Sequence, residues 1–239
     1  MTTATPQRAE AALITFVDAA TGERADLSAA ELGGWAARVA GLLREGCGLT
    51  GGGRVAVLLP PHWLTAAVLL GGWSAGVALS LQGRATAGLS VAEPGAGDPY
   101  DASFVAADRI GSWLENIPAA RHRFSLFAPK PPESYRDLLA ELDEYSPHVP
   151  AYGRTRSTDA ATPDGTSYGE WGAVAGELAG RIGLHPGDRL LVAAAEHEHP
   201  VKWLLAPLSA RASVVVCANA TPEALRTLGE AERVTHTLQ

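Results

Sequence analysis

The chain has 239 residues, 46% of them hydrophobic and 19% charged, which suffices to bury a sizeable core and makes disorder the wrong default. A formal charge of −7, with no dense Lys/Arg cluster, argues against nucleic acid as a partner. Cys47 and Cys217 form neither a metal-ligand spacing nor a disulfide framework, and the polar start from Met1 to Glu10 lacks the apolar stretch of a signal peptide, so a cytoplasmic protein is expected.

In chain order, Ile14 to Asp18 followed by Thr21-Gly22-Glu23 reads as a strand and a turn. Ser28 with Glu31 three residues on is a capping box for a helix carrying Leu32, Trp35, Val39, Leu42 and Leu43 at helical spacing, stopped by Gly46 and Gly48. Val55 to Leu59 is a continuous apolar run between Gly53 and Pro60, the pattern of a strand buried on both faces. A helix from about Trp63 to Ala75 and a strand from Val77 to Leu81 follow. No charged residue occurs between Arg54 and Arg84, a span long enough for a membrane helix. Pro60-Pro61 and Gly71-Gly72 interrupt it, however, and no membrane partner is expected.

Residues 82 to 100 read as a loop rich in Gly, Ala and Pro. Ser103 to Ala107 reads as a strand, Ile110 to Asn116 as a short helix, Phe124 to Phe127 as a strand and Tyr135 to Tyr145 as an acidic amphipathic helix. The composition then turns to Pro, Thr, Ser, Asp and Gly as far as Gly165, which places a boundary between a first α/β half, 1–150, and a second, 151–239. The second half begins with a helix from Tyr168 to Arg181. A strand at Leu190 to Ala194, the polar loop Glu196-His197-Glu198-His199, a helix from Val201 to Ala210 and a strand from Ala212 to Cys217 follow. Thr221-Pro222 then caps a last helix.

The two halves are copies. Shifted by 135 positions, Gly48 to Leu81 falls on Gly183 to Val216 with ten identities in 34 positions and no gap. Among the matches are Gly48/Gly183, Gly52/Gly187, Arg54/Arg189, His62/His197 and Ser74/Ser209. Alternating helices and buried strands with tight glycine turns imply right-handed crossovers and parallel sheets. The expected fold is therefore α/β, with two related parallel-sheet halves packed face to face.

Gly183-Leu184-His185-Pro186-Gly187-Asp188-Arg189, between an Ala-rich helix and a strand, resembles the adenylate-forming superfamily of acyl-CoA synthetases, luciferases and peptide-synthetase adenylation domains. The first copy is similar to that family's opening segment, through Gly48 to Arg54, a strand ending in Leu59-Pro60 and the turn Ala75-Gly76-Val77. The resemblance covers roughly residues 13 to 81 and 157 to 234, and it implies the N-terminal portion of such an enzyme, without the later ribose, adenine and metal segments or the small domain with its catalytic lysine.

The family's phosphate loop, S-G-T-T-G-x-P-K-G, would fall on Ser157 to Gly165. Ser157, Pro163 and Gly165 fit. Thr158 and Ala161 replace glycines, Asp159 and Ala160 replace threonines, and Asp164 replaces the lysine. Such a loop needs glycines for close backbone approach, hydroxyls for phosphate oxygens and a cation for their charge. Carboxylates facing a triphosphate repel it by about 1 to 4 kcal/mol each at ~4 Å. Whether the segment descends from a phosphate loop or is only a linker, no working loop is expected, and neither is a catalytic residue or a cofactor; ATP and magnesium belong to the alternative of an active ligase with an altered site.

The resemblance also implies that His197 or His199 borders a former substrate cleft, with His62 and Trp63 at the matching place in the first copy. Glu196, His197, Glu198 and His199 could in principle ligate a metal, but the spacing is not that of a metal-binding helix; a polar loop capping the next helix is the simpler reading, and no metal is assigned. The expectation is a catalytically silent relative of acyl-CoA synthetases that binds a small molecule or a protein. The alternatives are an active ligase completed by a second chain and a dimeric scaffold.

Overall fold

A computed structural model describes residues 11–84, 98–148 and 155–238. The N-terminal stretch before Ala11, most of the loop read at 82–100 and part of the boundary read between the halves lie outside these residues.

The first half contains β1 (Ile14–Asp18), β2 (Arg24–Leu27), α1 (Ala29–Gly41), β3 (Arg54–Leu58), α2 (Trp63–Ser74), β4 (Ala78–Leu81), β5 (Tyr100–Ala106), β6 (Ala120–Leu126), β7 (Arg136–Asp137) and α3 (Leu138–Leu142). The second contains α4 (Tyr168–Ile182), β8 (Arg189–Ala193), α5 (Ala206–Ser209), β9 (Ser213–Ala218), α6 (Pro222–Ala231) and β10 (His236–Thr237). The capping box of Ser28 with Glu31 opens α1, and a second one not read from the sequence, Ser167 with Glu170, opens α4.

The strands form two five-stranded sheets, ordered β4-β3-β5-β6-β7 and β10-β8-β9-β1-β2. Every pairing within them is parallel except β1 with β2. The sheets do not divide where the composition changes. β1 and β2 belong by sequence to the first half, yet β1 pairs with β9 from Ile14 opposite Val214 to Asp18 opposite Ala218. Both β1 and β9 are strongly apolar, and their parallel pairing covers an edge that β9 would otherwise leave open.

The repeat is visible in the backbone. β3 at Arg54–Leu58 and β8 at Arg189–Ala193 are offset by the same 135 residues as the sequence match. Gly48 and Gly183 hold φ of 68° and 81°, and Gly52 and Gly187 hold 86° and 91°. These left-handed turns are open to glycine at little cost and strain other residues, which accounts for glycine at both places in both copies. The copies differ in the helix after the strand. α2 is regular, whereas its counterpart opens as a π turn over Val201–Leu205 before α5. Pro207 has no N–H to offer the carbonyl four residues back, so the regular ladder cannot run through.

Alternation along the strands sends one set of side chains to each side of each sheet. Val55, Val57, Leu79 and Phe104 from one sheet and Ile14, Phe16, Leu190 and Val214 from the other join one continuous core with α1 and α2. On the opposite faces Ala56, Leu58 and Val105 form one smaller cluster, and Leu191, Val215 and Cys217 another beneath Leu225 and Leu228 of α6. Burial on both faces is why these strands read as unbroken apolar runs.

Two elements differ from expectation. Residues 110–116 are not helical: a short 3-10 turn at Ala107–Arg109 precedes an irregular loop. Arg109, 2% exposed, reaches across that loop to Glu115 and donates to the Gln82 carbonyl, and this buried pairing replaces the helical backbone pattern. The acidic helix is limited to Leu138–Leu142, because Arg136–Asp137 pairs with β6 and the Asp137 side chain then caps the turn at Ala140.

Candidate functional site

The carboxyl ends of strands from both sheets open on one cleft, the place where parallel α/β proteins bind ligands. Its outer lobe has a volume of about 750 Å³. Asp18 follows from β1, Pro60 to His62 from β3, Ala106 and Asp108 from β5, Phe127 from β6, Ala194 and Ala195 from β8, and Ala218 and Asn219 from β9. An inner lobe of about 280 Å³ lies beside it, with walls that include Val57, Leu59, Leu69, Leu81 and Trp203. Ala195 and Glu198 line both lobes, so the two are adjacent compartments of one site.

His62 lines the outer lobe and is 6% exposed. Its Nδ1 accepts from the Leu64 N–H at 3.1 Å and caps α2, its Nε2 stands 3.4 Å from Glu23, and Phe16 and Phe127 pack edge-on against the ring. Burial pulls its pKa down to about 4, with the Asp18 carboxylate acting weakly in the other direction. The imidazole is therefore neutral at physiological pH. Asp18 is held by the Asn219 side chain and by the N–H groups of Ala20 and Thr21, and burial only partly offsets their lowering of its pKa. Phe127 and Asn219 have φ of 66° and 52°, a left-handed conformation that asparagine tolerates and phenylalanine seldom adopts.

The other histidines diverge. His197 turns into the protein: it is 6% exposed, Nε2 lies 3.3 Å from the Leu238 carbonyl, Nδ1 has no partner among the described residues, and it lines neither lobe. His199 lines the inner lobe, stacked on Trp171 at 5.1 Å, with its pKa lowered first by burial and then by Lys202. Glu196 and Glu198 line the inner lobe with Lys202. Trp63 sits outside both lobes and packs on Trp35 at 5.4 Å. Thus His62, Glu196 and His199 share one cleft, and His197 and Trp63 do not line it. Among the described residues no group of three or more His, Cys, Asp or Glu is arranged to hold a metal ion.

The segment Ser157 to Gly165 is a closed hairpin against the edge of β4 and contributes to neither lobe. The Ala161 carbonyl accepts from Leu79 N–H and from Trp73 Nε1, and Ala160 bridges to Ser167. The amide donors turn inward: Ala161 and Thr162 give theirs to the Thr166 carbonyl, Gly165 to Thr162, and Thr166 to the Asp164 carboxylate at 3.0 Å. Asp164 also accepts from the Thr162 hydroxyl at 2.6 Å, and that bond, with the Thr166 N–H, lowers its pKa. Asp159 accepts from Arg156 N–H, and the Ser157 carbonyl from Gly169 N–H; Thr158 lies exposed between them. The carboxylate of Asp164, at the position where the family motif has a lysine, thus holds the Thr166 N–H.

Asp18, Glu23, Thr65, Asp108, Phe127 and Asn219 were not legible as site residues. They come from separate elements far apart in sequence, and the one available signal was that Asp18 ends a strand.

No family model matches the chain. It is 32% identical over 238 residues to a TIGR03089 family protein of Mycobacterium tuberculosis strain H37Rv, covering 94% of this chain and 90% of that one. Among solved structures, an acyl-CoA synthetase of Brucella canis matches with a TM-score of 0.71 at 18% identity, over 97% of this chain and 45% of that one. The anthranilate CoA ligase AuaEII, solved with anthranoyl-AMP, matches with 0.68 at 17% identity, over 95% and 46%. The N-terminal domain of FACL13 from Mycobacterium tuberculosis gives 0.61 at 18%, over 93% and 57%. The chain therefore spans about half the length of these structures, and the likeness to them is one of fold.

Proposed function

The chain belongs to the TIGR03089 family and has the fold of the N-terminal domains of adenylate-forming enzymes, and from that premise we propose that it binds a small molecule in the cleft between its two sheets without adenylating it. The observation that carries this reading is the Asp164 turn. The N–H groups of Ala161, Thr162, Gly165 and Thr166 are engaged within the turn, the last of them by the Asp164 carboxylate, and no Lys or Arg stands in the segment from Ser157 to Gly165. Binding a triphosphate there requires breaking those bonds and placing like charges together, so the nucleotide half of adenylation has no support.

The cleft has the features of a ligand site: a concave cavity at the carboxyl ends of parallel strands, apolar walls, and a few convergent polar groups. His62, neutral and held by its cap to α2, is a fixed wall of that site and no proton donor at physiological pH. Millimolar ATP with magnesium is expected to leave the melting temperature unchanged, and exchange of pyrophosphate into ATP is expected to stay at background with a panel of carboxylic acids. Stabilisation by magnesium and ATP, or exchange with any acid, would overturn the reading.

A further inference from the structure

His62 and His197 hold one repeat position, yet the second copy puts its histidine to a different use. In the first copy Nδ1 of His62 accepts from the Leu64 N–H and caps α2. In the second, His199 takes over that task, its Nδ1 accepting from the Val201 N–H at 3.4 Å. His197 turns to the far side of the loop and donates from Nε2 to the Leu238 carbonyl at 3.3 Å. A carbonyl only accepts, so the proton sits on Nε2.

The loop therefore has two faces. Ala195, Glu196, Glu198, His199 and Pro200 line the inner lobe. On that side the Trp203 indole donates to the Glu198 carbonyl at 3.1 Å, and Trp171 stacks on His199. His197 stands between Glu196 and Glu198 in sequence, lines neither lobe, and meets the segment that ends in β10. One side chain thus joins a wall of the cleft to the C-terminal strand.

That strand has the features of an element that opens locally at low free energy. β10 has two residues, pairs with β8 alone and stands at the edge of its sheet. No residue of α6, which leads into it, is fully buried. Thr235 N–H donates to the Arg189 carbonyl, Arg189 N–H to the Thr235 hydroxyl, and Leu238 N–H to the Leu191 carbonyl; His197 adds the bond at the far end. When β10 leaves, the buried His197 ring loses that acceptor while its Nδ1 already has no partner among the described residues. Burying a polar ring unbonded is costly, so the loop has to shift until the ring reaches water.

We propose that β10 is a latch on the cleft, with His197 as its positioning residue: docking of the strand holds residues 195–200 where they shape the inner lobe, and its release lets that wall move. The coupling is reciprocal, so a molecule that favours the docked loop also strengthens the docking of β10. It holds whatever the cleft binds.

Hydrogen exchange of the full chain, followed by NMR at single amides, tests the latch without a ligand. Thr235→Pro removes the N–H and the hydroxyl that bond Arg189, at the opposite end of β8 from the loop. The Leu238 amide is expected to exchange about tenfold faster. The amides of Glu196 and Lys202, bonded to the Ala193 and His199 carbonyls, are expected to exchange about fivefold faster. His197→Phe keeps a ring and removes the tie, and the same three amides are expected to gain about fivefold. The Leu64 and Ala66 amides, at the matching place in the first copy, stay unchanged. A merely structural His197 would let Thr235→Pro free Leu238 while the loop exchanges as in wild type, and that result overturns the proposal. So does an unchanged loop in His197→Phe, or a rise shared equally by Leu64 and Ala66, which marks global destabilisation. If Leu238 stays protected in Thr235→Pro, His197→Phe decides alone.

Discussion

Acid should destabilise this protein chiefly through one side chain, His62. The ring is 6% exposed and its pKa is pulled from 6.5 to about 4 by burial. Once the pH drops below the ordinary value the unfolded chain takes a proton at this position, and the folded chain refuses it until the pH nears the lower value. The unfolded state therefore binds more protons across that window, so stability is full above it and is lost as the pH falls through it. At about pH 5 the shift corresponds to about 2 kcal/mol relative to about pH 7.5, or a fall in melting temperature of about 4 to 8 °C for a chain of this size.

His62→Asn supplies the control. Asparagine keeps an acceptor for the Leu64 N–H at the start of α2, and it does not titrate. The variant loses packing on Phe16 and Phe127 and is expected to be less stable at neutral pH, but with most of the acid slope removed. His199, whose pKa is also lowered, leaves a smaller slope of the same sign. Thermal denaturation of both proteins between about pH 7.5 and about pH 5 measures the difference. Parallel pH profiles for wild type and variant would refute the assignment of the acid sensitivity to His62.

Two further expectations concern the frame around the cleft. Arg109 and Glu115, 2% and 7% exposed in their side chains, form an ion pair at 2.6 Å beneath the loop that follows β5. Arg109→Met leaves the carboxylate buried alone and should cost about 3 kcal/mol or more in urea denaturation, with the double variant carrying Glu115→Leu regaining most of it; a double variant no better than the single one would contradict this. Gly71 lets α2 approach α1 closely: a Cβ there would lie 2.5 Å from the Ala36 carbonyl oxygen and 2.6 Å from Val39 Cβ. Gly71→Ala should destabilise by about 1 to 3 kcal/mol although alanine is the better helix former, and a higher denaturation midpoint would show that the helices can part at little cost.

Most of the architecture is legible in the chain because it depends on local periods and on turns. The apolar runs at Val55 to Leu59 and Leu190 to Ala194, the capping box at Ser28, and the glycines at 48, 52, 183 and 187 each state a local conformation whose physical cause is confined to a few neighbouring residues. Their recurrence at one offset then implied two similar halves. The elements that differ, around Arg109 and Arg136, are those where a side chain or a short pairing reaches a distant strand and overrides the local pattern.

The cleft was legible in position more than in content. The polar loop Glu196 to His199 after the second copy's buried strand, with His62 and Trp63 at the matching place in the first, pointed to the carboxyl ends of the sheets. That the Ser157 to Gly165 hairpin docks on β4 through Leu79 and Trp73, and that β1 joins the second sheet and carries Asp18 to the cleft, depend on contacts between residues far apart in the chain. The same is true of His62 and His197, one residue type at one repeat position: the first faces the cleft at a regular helix start, the second turns beneath Leu238. Periodicity carries a residue's place along its own element; whether its side chain meets a cavity or a core is set by what the rest of the chain packs against it.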